Sequence, residues 1–278
     1  MTQSLLLFVC RREIEVSDLN MIRLEYIEVA YGKNRPVLTL ESLEIARGER
    51  VAIIGPSGAG KSTLLRSLKG YVQPRRGKVE VLGVNLTSAD RRLRREVNQR
   101  IALIYQQFHL VRRLTVLQNT LCGRLGHTSR WRSLLGAFTP EDKRIAWAAI
   151  MEVGLADKVH RRVDTLSGGE QQRAAVARAV AQEPELILAD EPVSSLDPAW
   201  AADVLELLTA VQSHHQTTLV MTLHQPQLAR RFAQRIIGLR DGRIVWDGPA
   251  ADLTDAALQS LYGTDQLETV PFRTGASA

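Results

Sequence analysis

From Met21 to Val29 the chain reads Met21-Ile22-Arg23-Leu24-Glu25-Tyr26-Ile27-Glu28-Val29, with apolar and polar positions alternating as in a half-buried strand. Two more strands are expected over residues 37–45 and 51–54, the second entered through the turn Arg47-Gly48-Glu49. From there β and α signals alternate, which predicts an α/β domain with a largely parallel sheet. A helix is expected over residues 62–69, with Leu64, Leu65 and Leu68 on one face and Gly70 as its stop. Ser167-Gly168-Gly169-Glu170 fits a capping box opening a helix through Ala181, which Pro184 helps to close. Asp197-Pro198 supplies an N-cap and a first-turn proline for a helix to about Ser213, with Val204, Leu207, Leu208 and Val211 inward. Further strands are expected at 101–105, 186–189 and 217–223, and a hairpin at Arg240-Asp241-Gly242 between 236–239 and 243–246. Between 114 and 178 helix-like sequence dominates, and this block reads as a helical subdomain inserted in the sheet core.

Composition narrows the class without choosing a function. The 278 residues are 45% hydrophobic and 24% charged, ordinary values for a globular chain. The formal net charge of +6 suits an anionic partner: nucleotide, nucleic acid or lipid headgroup. Cys10 and Cys122 cannot build a disulfide framework, and a reduced setting fits them. The run from Leu5 to Cys10 is far shorter than the roughly 20 residues of a membrane helix. It also lacks the flanks of a signal peptide. Residues 1–20 read as an extension, with Met21 as the natural start and a genuine N-terminal arm as the alternative; residues 264–278 read as a short polar tail.

The chemistry-bearing residues begin with Gly55-Pro56-Ser57-Gly58-Ala59-Gly60-Lys61-Ser62, the phosphate-loop pattern G-x-x-x-x-G-K-[ST], set between a strand and a helix as that pattern requires. Glycines let successive backbone N–H groups face a phosphate, and the helix start adds partial positive charge. Lys61 is expected to reach the β- and γ-phosphates, Ser62 to ligate Mg²⁺, and Thr63 to add a phosphate contact. The apolar run Leu186-Ile187-Leu188-Ala189 ends in Asp190 and Glu191, at the sheet edge where α/β folds bind ligands. Asp190 is expected to hold Mg²⁺ through water, and Glu191 to orient and deprotonate an attacking water.

Leu166-Ser167-Gly168-Gly169-Glu170-Gln171-Gln172-Arg173 resembles the signature motif of the ATP-binding cassette (ABC) family, which separates it from other phosphate-loop proteins. Its other motifs follow in order: Tyr31 resembles the aromatic residue that stacks on adenine, Gln106 the Q-loop glutamine, Ser194-Ser195-Leu196-Asp197 the D-loop, and His224 the switch histidine. Either Tyr26 or Tyr31 could instead be core. The resemblance covers residues 21–263 and implies a phosphate-loop NTPase fold: a RecA-like core sheet, an antiparallel β-subdomain and an inserted helical subdomain at about 107–180. It implies ATP and Mg²⁺ as ligands, with Gln106 sensing the metal and the γ-phosphate. It also implies a head-to-tail homodimer in which Ser167, Gly168, Gly169 and Glu170 of one subunit meet the ATP held by the other. Ser167 capping its own helix is compatible with that contact.

The stretches from Gln106 to Val111 and from Leu114 to Asn119 resemble importer ATPases for polar solutes. The segment from Gly123 through Trp131-Arg132-Ser133-Leu134-Leu135-Gly136 and Phe138 to Asp142 is similar to the ATP-binding subunit of phosphonate importers. The implied partners are two integral-membrane permease subunits and, indirectly, an extracytoplasmic phosphonate-binding protein. The implied place is the cytoplasmic face of the inner membrane. Two other tasks suit the same cassette: import of another oxyanion or a polar amino acid, or a non-transport role beside the enzyme complex that breaks carbon–phosphorus bonds. The cluster Trp131, Leu134, Leu135 and Phe138, rimmed by Arg130 and Arg132, is read either as a membrane-subunit contact or as internal packing. Arg91-Arg92-Leu93-Arg94-Arg95 is read as a solvated helix face, with anionic lipid as the competing reading. No nucleic-acid motif accompanies it, so nucleic acid is not among the expected partners. His214 and His215 read as a solvated helix end without metal-site spacing.

Overall fold

Val51, Ala52, Ile53 and Ile54 run apolar without a break, and all four are buried. Such a strand needs cover on both faces. In the computed structural model this strand, β3 (Arg50–Ile54), sits inside a six-stranded sheet. Its companions are β6 (Ile101–Tyr105), β7 (Leu186–Asp190), β8 (Thr218–Thr222), β9 (Arg235–Arg240) and β10 (Arg243–Pro249), in the order β10-β9-β3-β8-β7-β6. All neighbours are parallel except the hairpin partner β10. The structure describes residues 20–32, 35–128, 131–132, 136–194 and 196–263. The expectations for residues 1–19, Ser129, Arg130, Ser133, Leu134, Leu135, Ser195 and 264–278 therefore fall outside it.

The period of two sorts each strand onto two cores. Ala52, Ile54, Ala102, Ile104, Ile187, Ala189, Leu219 and Met221 face one. Val51, Ile53, Ile101, Leu186, Leu188, Val220, Ile237 and Leu239 face the other. The first core is closed by α5 (Gly168–Val180), α6 (Pro198–His215), α7 (Pro226–Phe232) and α8 (Asp255–Tyr262). The second is closed by α1 (Lys61–Leu68), by Val97 of α2 (Arg91–Gln99) and by a second sheet. That sheet is antiparallel, β2-β1-β4-β5, built from β1 (Asn20–Val29), β2 (Leu38–Ala46), β4 (Arg76–Val81) and β5 (Val84–Asn85).

Three details correct the sequence reading. β1 starts at Asn20, which pairs with Ala46, so the strand takes one residue from the expected extension. Tyr26 breaks the alternation: its φ is 49°, it lies where the β1–β4 register shifts, and its side chain is exposed. Tyr31 is exposed as well, so neither tyrosine is core. Leu207, expected inward on α6, is only half-buried, while Val204, Leu208 and Val211 are buried.

Between 114 and 178 the described residues form helices and turns, with the isolated bridge Thr115–Arg162 as the one strand-like pairing. α3 (Val116–Leu121), α4 (Pro140–Glu152) and α5 pack on one another. Each starts from a capping box: Thr115 with Gln118, Thr139 with Asp142, and Ser167 with Glu170. These reciprocal bonds satisfy two backbone donors apiece at a helix start. The basic run lies on α2, capped by Asp90, with Arg91, Arg92 and Arg95 exposed as a solvated face requires. Among the described residues, no helix is long and apolar enough to cross a membrane.

A buried ion pair ties α4 to the connection between α5 and β7. Arg124 donates to Asp142 at 3.1 Å, to the Ala181 carbonyl at 3.0 Å and to Glu183 at 2.6 Å. The Arg124 and Asp142 side chains are 7% and 8% exposed, so neither charge has water to fall back on. Burial works to raise the Asp142 carboxyl, but hydrogen bonds from Thr139 and Arg124 outweigh it and hold the group below the ordinary range. Removing one partner of such a pair strands the other charge. Arg124→Ala is therefore expected to cost about 3 kcal/mol of unfolding free energy, read as a lower urea midpoint at unchanged slope. An unchanged midpoint would show that the pair adds nothing.

Candidate functional site

The loop from Gly55 to Gly60 joins β3 to α1 and turns at its three glycines. A Cβ on Gly55 would lie 2.0 Å from the Leu239 carbonyl oxygen, and φ at Gly55, Gly58 and Gly60 is +149°, +80° and +101°. Those left-handed values are open to glycine at no steric cost. Gly60, the N-cap of α1, offers no side-chain acceptor, so the first backbone donors of α1 are left for a ligand. Ser57 and Gly58 are exposed at the crest of the loop.

Lys61 is buried, and its ammonium curls over the loop to donate to the Gly55 carbonyl at 2.7 Å and the Pro56 carbonyl at 3.0 Å. Burial pulls its pKa down, partly offset by the nearby charges of Glu191 and Asp190. The result is a desolvated cation with two carboxylates in range.

Those carboxylates stand where β7 ends. In register, Asp190 lies beside Tyr105 of β6 on one side and Thr222 of β8 on the other. Ser62 Oγ and Thr222 Oγ1 both donate to Asp190 Oδ1, at 2.9 Å each. Thr222 Oγ1 in turn accepts the Glu191 backbone N–H at 2.8 Å. Glu191 has φ 50°, a left-handed value rare outside glycine and typical of strain held at working sites. The turn aims its side chain, 16% exposed, at His224, whose Nε2 lies 2.6 Å from Glu191 Oε1. A cavity of about 30 Å³ lined by Glu191, Thr222, His224 and Gln225 adjoins this pair, enough for a water molecule. Clefts of about 610 and 690 Å³ border α2 and contain none of these groups.

The expected residues thus separate into those that meet and those that stand apart. Lys61, Ser62, Asp190, Glu191 and His224 converge. Tyr31 reaches Thr63, hydroxyl to hydroxyl at 3.2 Å, and its exposed ring flanks the start of α1. Gln106 is exposed directly after β6, one residue past the Tyr105–Asp190 pair, and its side chain makes no hydrogen bond among the described residues. Ser167 accepts the Glu170 backbone N–H at 3.3 Å, while Glu170 accepts that of Ser167 at 2.9 Å and binds Lys158 at 2.5 Å. Ser167 and Gly168 are exposed; Gly169 lies against the Trp200 ring, where an added Cβ would approach to 3.1 Å. Asp197 is an exposed N-cap of α6 without a side-chain bond to it.

Two contributors escaped sequence reading. Thr222 joins Asp190 to Glu191, and its one signal was a threonine directly after the apolar run Leu219-Val220-Met221. Arg178, half-buried on α5, donates to the carbonyls of Phe108 at 2.9 Å and His109 at 2.6 Å. Phe108 and His109 both have positive φ, 54° and 45°, so Arg178 holds the segment after Gln106 in a shape it would not keep alone. Seventy residues separate Arg178 from Phe108, and no local pattern announces the contact.

Comparison with known proteins gives the chain a family. The family model described as ABC transporter matches residues 38–194, more than half of the chain. The chain is 48% identical over 250 residues to the phosphonates import ATP-binding protein PhnC of Stutzerimonas stutzeri, covering 88% of this chain and 90% of that one. It is 45% identical over 251 residues to phosphonates import ATP-binding protein PhnC 1 of Pseudomonas aeruginosa strain UCBPP-PA14, with the same coverage. Among solved structures, the ATP-binding cassette MJ0796, a dimer in a post-hydrolysis state bound to ADP and Pi, superposes with a TM-score of 0.71. That pair shares 31% identity over 83% of this chain and 99% of the other. A model match over more than half of the chain, with relatives this similar along most of their length, means that the chain belongs to the ABC transporter family.

Proposed function

We propose that the chain is the ATP-hydrolysing subunit of a phosphonate importer, acting as a homodimer on the cytoplasmic face of the membrane beneath two permease subunits. The observation that carries the hydrolytic part is the hydrogen-bonded run from Ser62 through Asp190 and Thr222 to Glu191 and His224, set at the mouth of the Lys61 loop. The phosphonate part rests on the relatives' printed names at 48% and 45% identity.

In this reading the loop from Gly55 to Gly60 wraps the ATP phosphates with backbone N–H groups, Lys61 exchanges its two carbonyl partners for phosphate oxygens, and Thr63 adds a contact. Tyr31 stacks on adenine. Ser62 and Asp190 present hard oxygens 2.9 Å apart, a donor set that suits Mg²⁺, with Gln106 as a further oxygen ligand. Bound there, Mg²⁺ would neutralise charge developing across the β- and γ-phosphates. Glu191 takes a proton from the attacking water, and His224 fixes the carboxylate's orientation while its exposed edge remains open to the γ-phosphate. The exposed Ser167 and Gly168, at the uncovered start of α5, meet the partner subunit's ATP, with Glu170 and Asp197 near that interface. Two nucleotides between two subunits then bias the dimer toward closure, and hydrolysis releases it. The solute itself passes through other subunits, and an extracytoplasmic binding protein delivers it.

The test is ATP-dependent uptake of a radiolabelled alkylphosphonate into vesicles carrying the chain with its permease and binding subunits. Uptake resistant to excess phosphate and amino acids is expected. Uptake of an amino acid or another oxyanion with none of phosphonate would replace the solute class and leave the ATPase reading standing.

A further inference from the structure

The last turns of α4 and α6 converge on one cluster. Glu152 is the final residue of α4, and His214 and His215 are the last two of α6. His214 Nδ1 lies 3.0 Å from Glu152 Oε1; His215 Nε2 lies 3.1 Å from Oε1 and 3.0 Å from Oε2. One ligand atom from each of the three residues falls within 4.8 Å of the others. Consecutive histidines can share a target because one offers Nδ1 and the other Nε2, with ring centroids 4.7 Å apart. Glu152 is half-buried while both imidazoles reach solvent, so an ion could enter from the surface.

We propose that Glu152, His214 and His215 form a binding site for a borderline divalent transition-metal ion of the zinc type. Zinc bonds to imidazole and carboxylate run to about 2.0–2.1 Å, which sets neighbouring ligand atoms about 3.3 Å apart in a tetrahedron. The carboxylate–imidazole separations here, 3.0–3.1 Å, are within a few tenths of an ångström of that edge, and the two imidazole nitrogens, within 4.8 Å of each other, complete the set by a small turn of exposed side chains. Two nitrogens and one oxygen favour zinc over Mg²⁺ or Ca²⁺, which take oxygen ligands. Three protein ligands leave a fourth position for water. The electrostatics point the same way. Both helices end at the cluster, and each C-terminus carries roughly half a negative charge over its last turn. A dication answers both helix ends and the carboxylate together. The site is separate from the ATP machinery: it clamps α4 of the helical layer to α6 of the sheet core.

The test is a Zn²⁺ titration of the full chain without nucleotide, read by competition with a chromogenic chelator. Wild type, His215→Ala, Glu152→Gln and His224→Ala are compared. One equivalent is expected in the wild type and in His224→Ala. Its affinity should fall by at least about tenfold in His215→Ala and Glu152→Gln, since losing a ligand costs no less than losing a supporting residue. Zinc should also raise the melting temperature of the wild type and not that of His215→Ala. The Mg²⁺-ATPase rate of His215→Ala without zinc should match the wild type. If His215→Ala does not fold, His214→Gln takes its place. No zinc equivalent in the wild type, or one that both cluster variants keep, would overturn the site and leave a hydrogen-bonded helix clamp only.

Discussion

Glu191→Gln is expected to hold ATP and turn it over at a small fraction of the wild-type rate, with a loss of about 10²–10⁴-fold, the range spanned by a positioned general base. The amide is nearly isosteric, and the strained turn at φ 50° is set by the backbone, so the variant should fold as the wild type does. An amide oxygen can still pair with His224, 2.6 Å away in the wild type, but it cannot take a proton from water. In the proposed site the nucleotide contacts lie mainly on the loop across from Glu191, and the substitution leaves that loop intact. With closure allowed and hydrolysis blocked, the variant should accumulate as an ATP-bound dimer, visible by size-exclusion chromatography with multi-angle light scattering. Wild-type turnover in this variant would remove Glu191 from the role of base. Slow turnover with weakened ATP binding would instead make Glu191 a binding residue.

Lys61→Ala fails at an earlier step. The ammonium is buried and spends its bonds on the Gly55 and Pro56 carbonyls, so its charge is poorly screened by water. Bound phosphate oxygens are stronger acceptors than those carbonyls. One hydrogen bond to a charged partner is worth about 1.5–3 kcal/mol, so ATP affinity should drop by about 10–150-fold. The loss should appear in Kd from equilibrium titration, with no dimer formed on adding ATP. The substitution leaves Gly55 and Gly60 in place, and with them the left-handed turns that set the course of the loop. Unchanged affinity would count against the loop as the phosphate site.

Most of the site was legible because its parts are local. The strand over residues 51–54, the glycine loop and the first turn of α1 are contiguous, and the same holds for β7 with its two terminal carboxylates. The capping box at Ser167 also depends on neighbours three residues apart. What escaped were contacts set by sheet order. Thr222 matters because β8 lies beside β7, a placement that no window of sequence contains. Arg178 and the Glu152–His214–His215 cluster have the same cause, with partners 60 to 70 residues away. β4 and β5 were missed for another reason. β4 carries Gly77 at φ +90°, where a Cβ would strike the Glu25 and Tyr26 carbonyl oxygens at 2.4 Å, and β5 spans two residues. Neither presents a run of alternation long enough to read. Tyr26 misled because periodicity assumes an unbroken strand, and the bulge turns it outward.

The turn between β9 and β10 belongs to the Gly55–Gly60 loop as much as to its own hairpin. Asp241 and Gly242, both left-handed at φ 48° and 74°, make the kind of two-residue bend at which chains are usually split, lengthened or rejoined. Here the bend forms a wall behind Ala59 and Gly60. The Gly242 N–H donates to the Ala59 carbonyl at 3.2 Å, and its own carbonyl accepts the Thr39 N–H at 2.7 Å. A Cβ on Gly242 would sit 2.4 Å from the Val37 oxygen, the same atom that crowds Gly60 at 3.1 Å. Residues far apart in the chain thus share one keystone. An engineer seeking new termini or a place for a reporter should pass over this hairpin, whose small size hides the fact that the geometry of the Gly55–Gly60 loop is partly written in the last third of the chain.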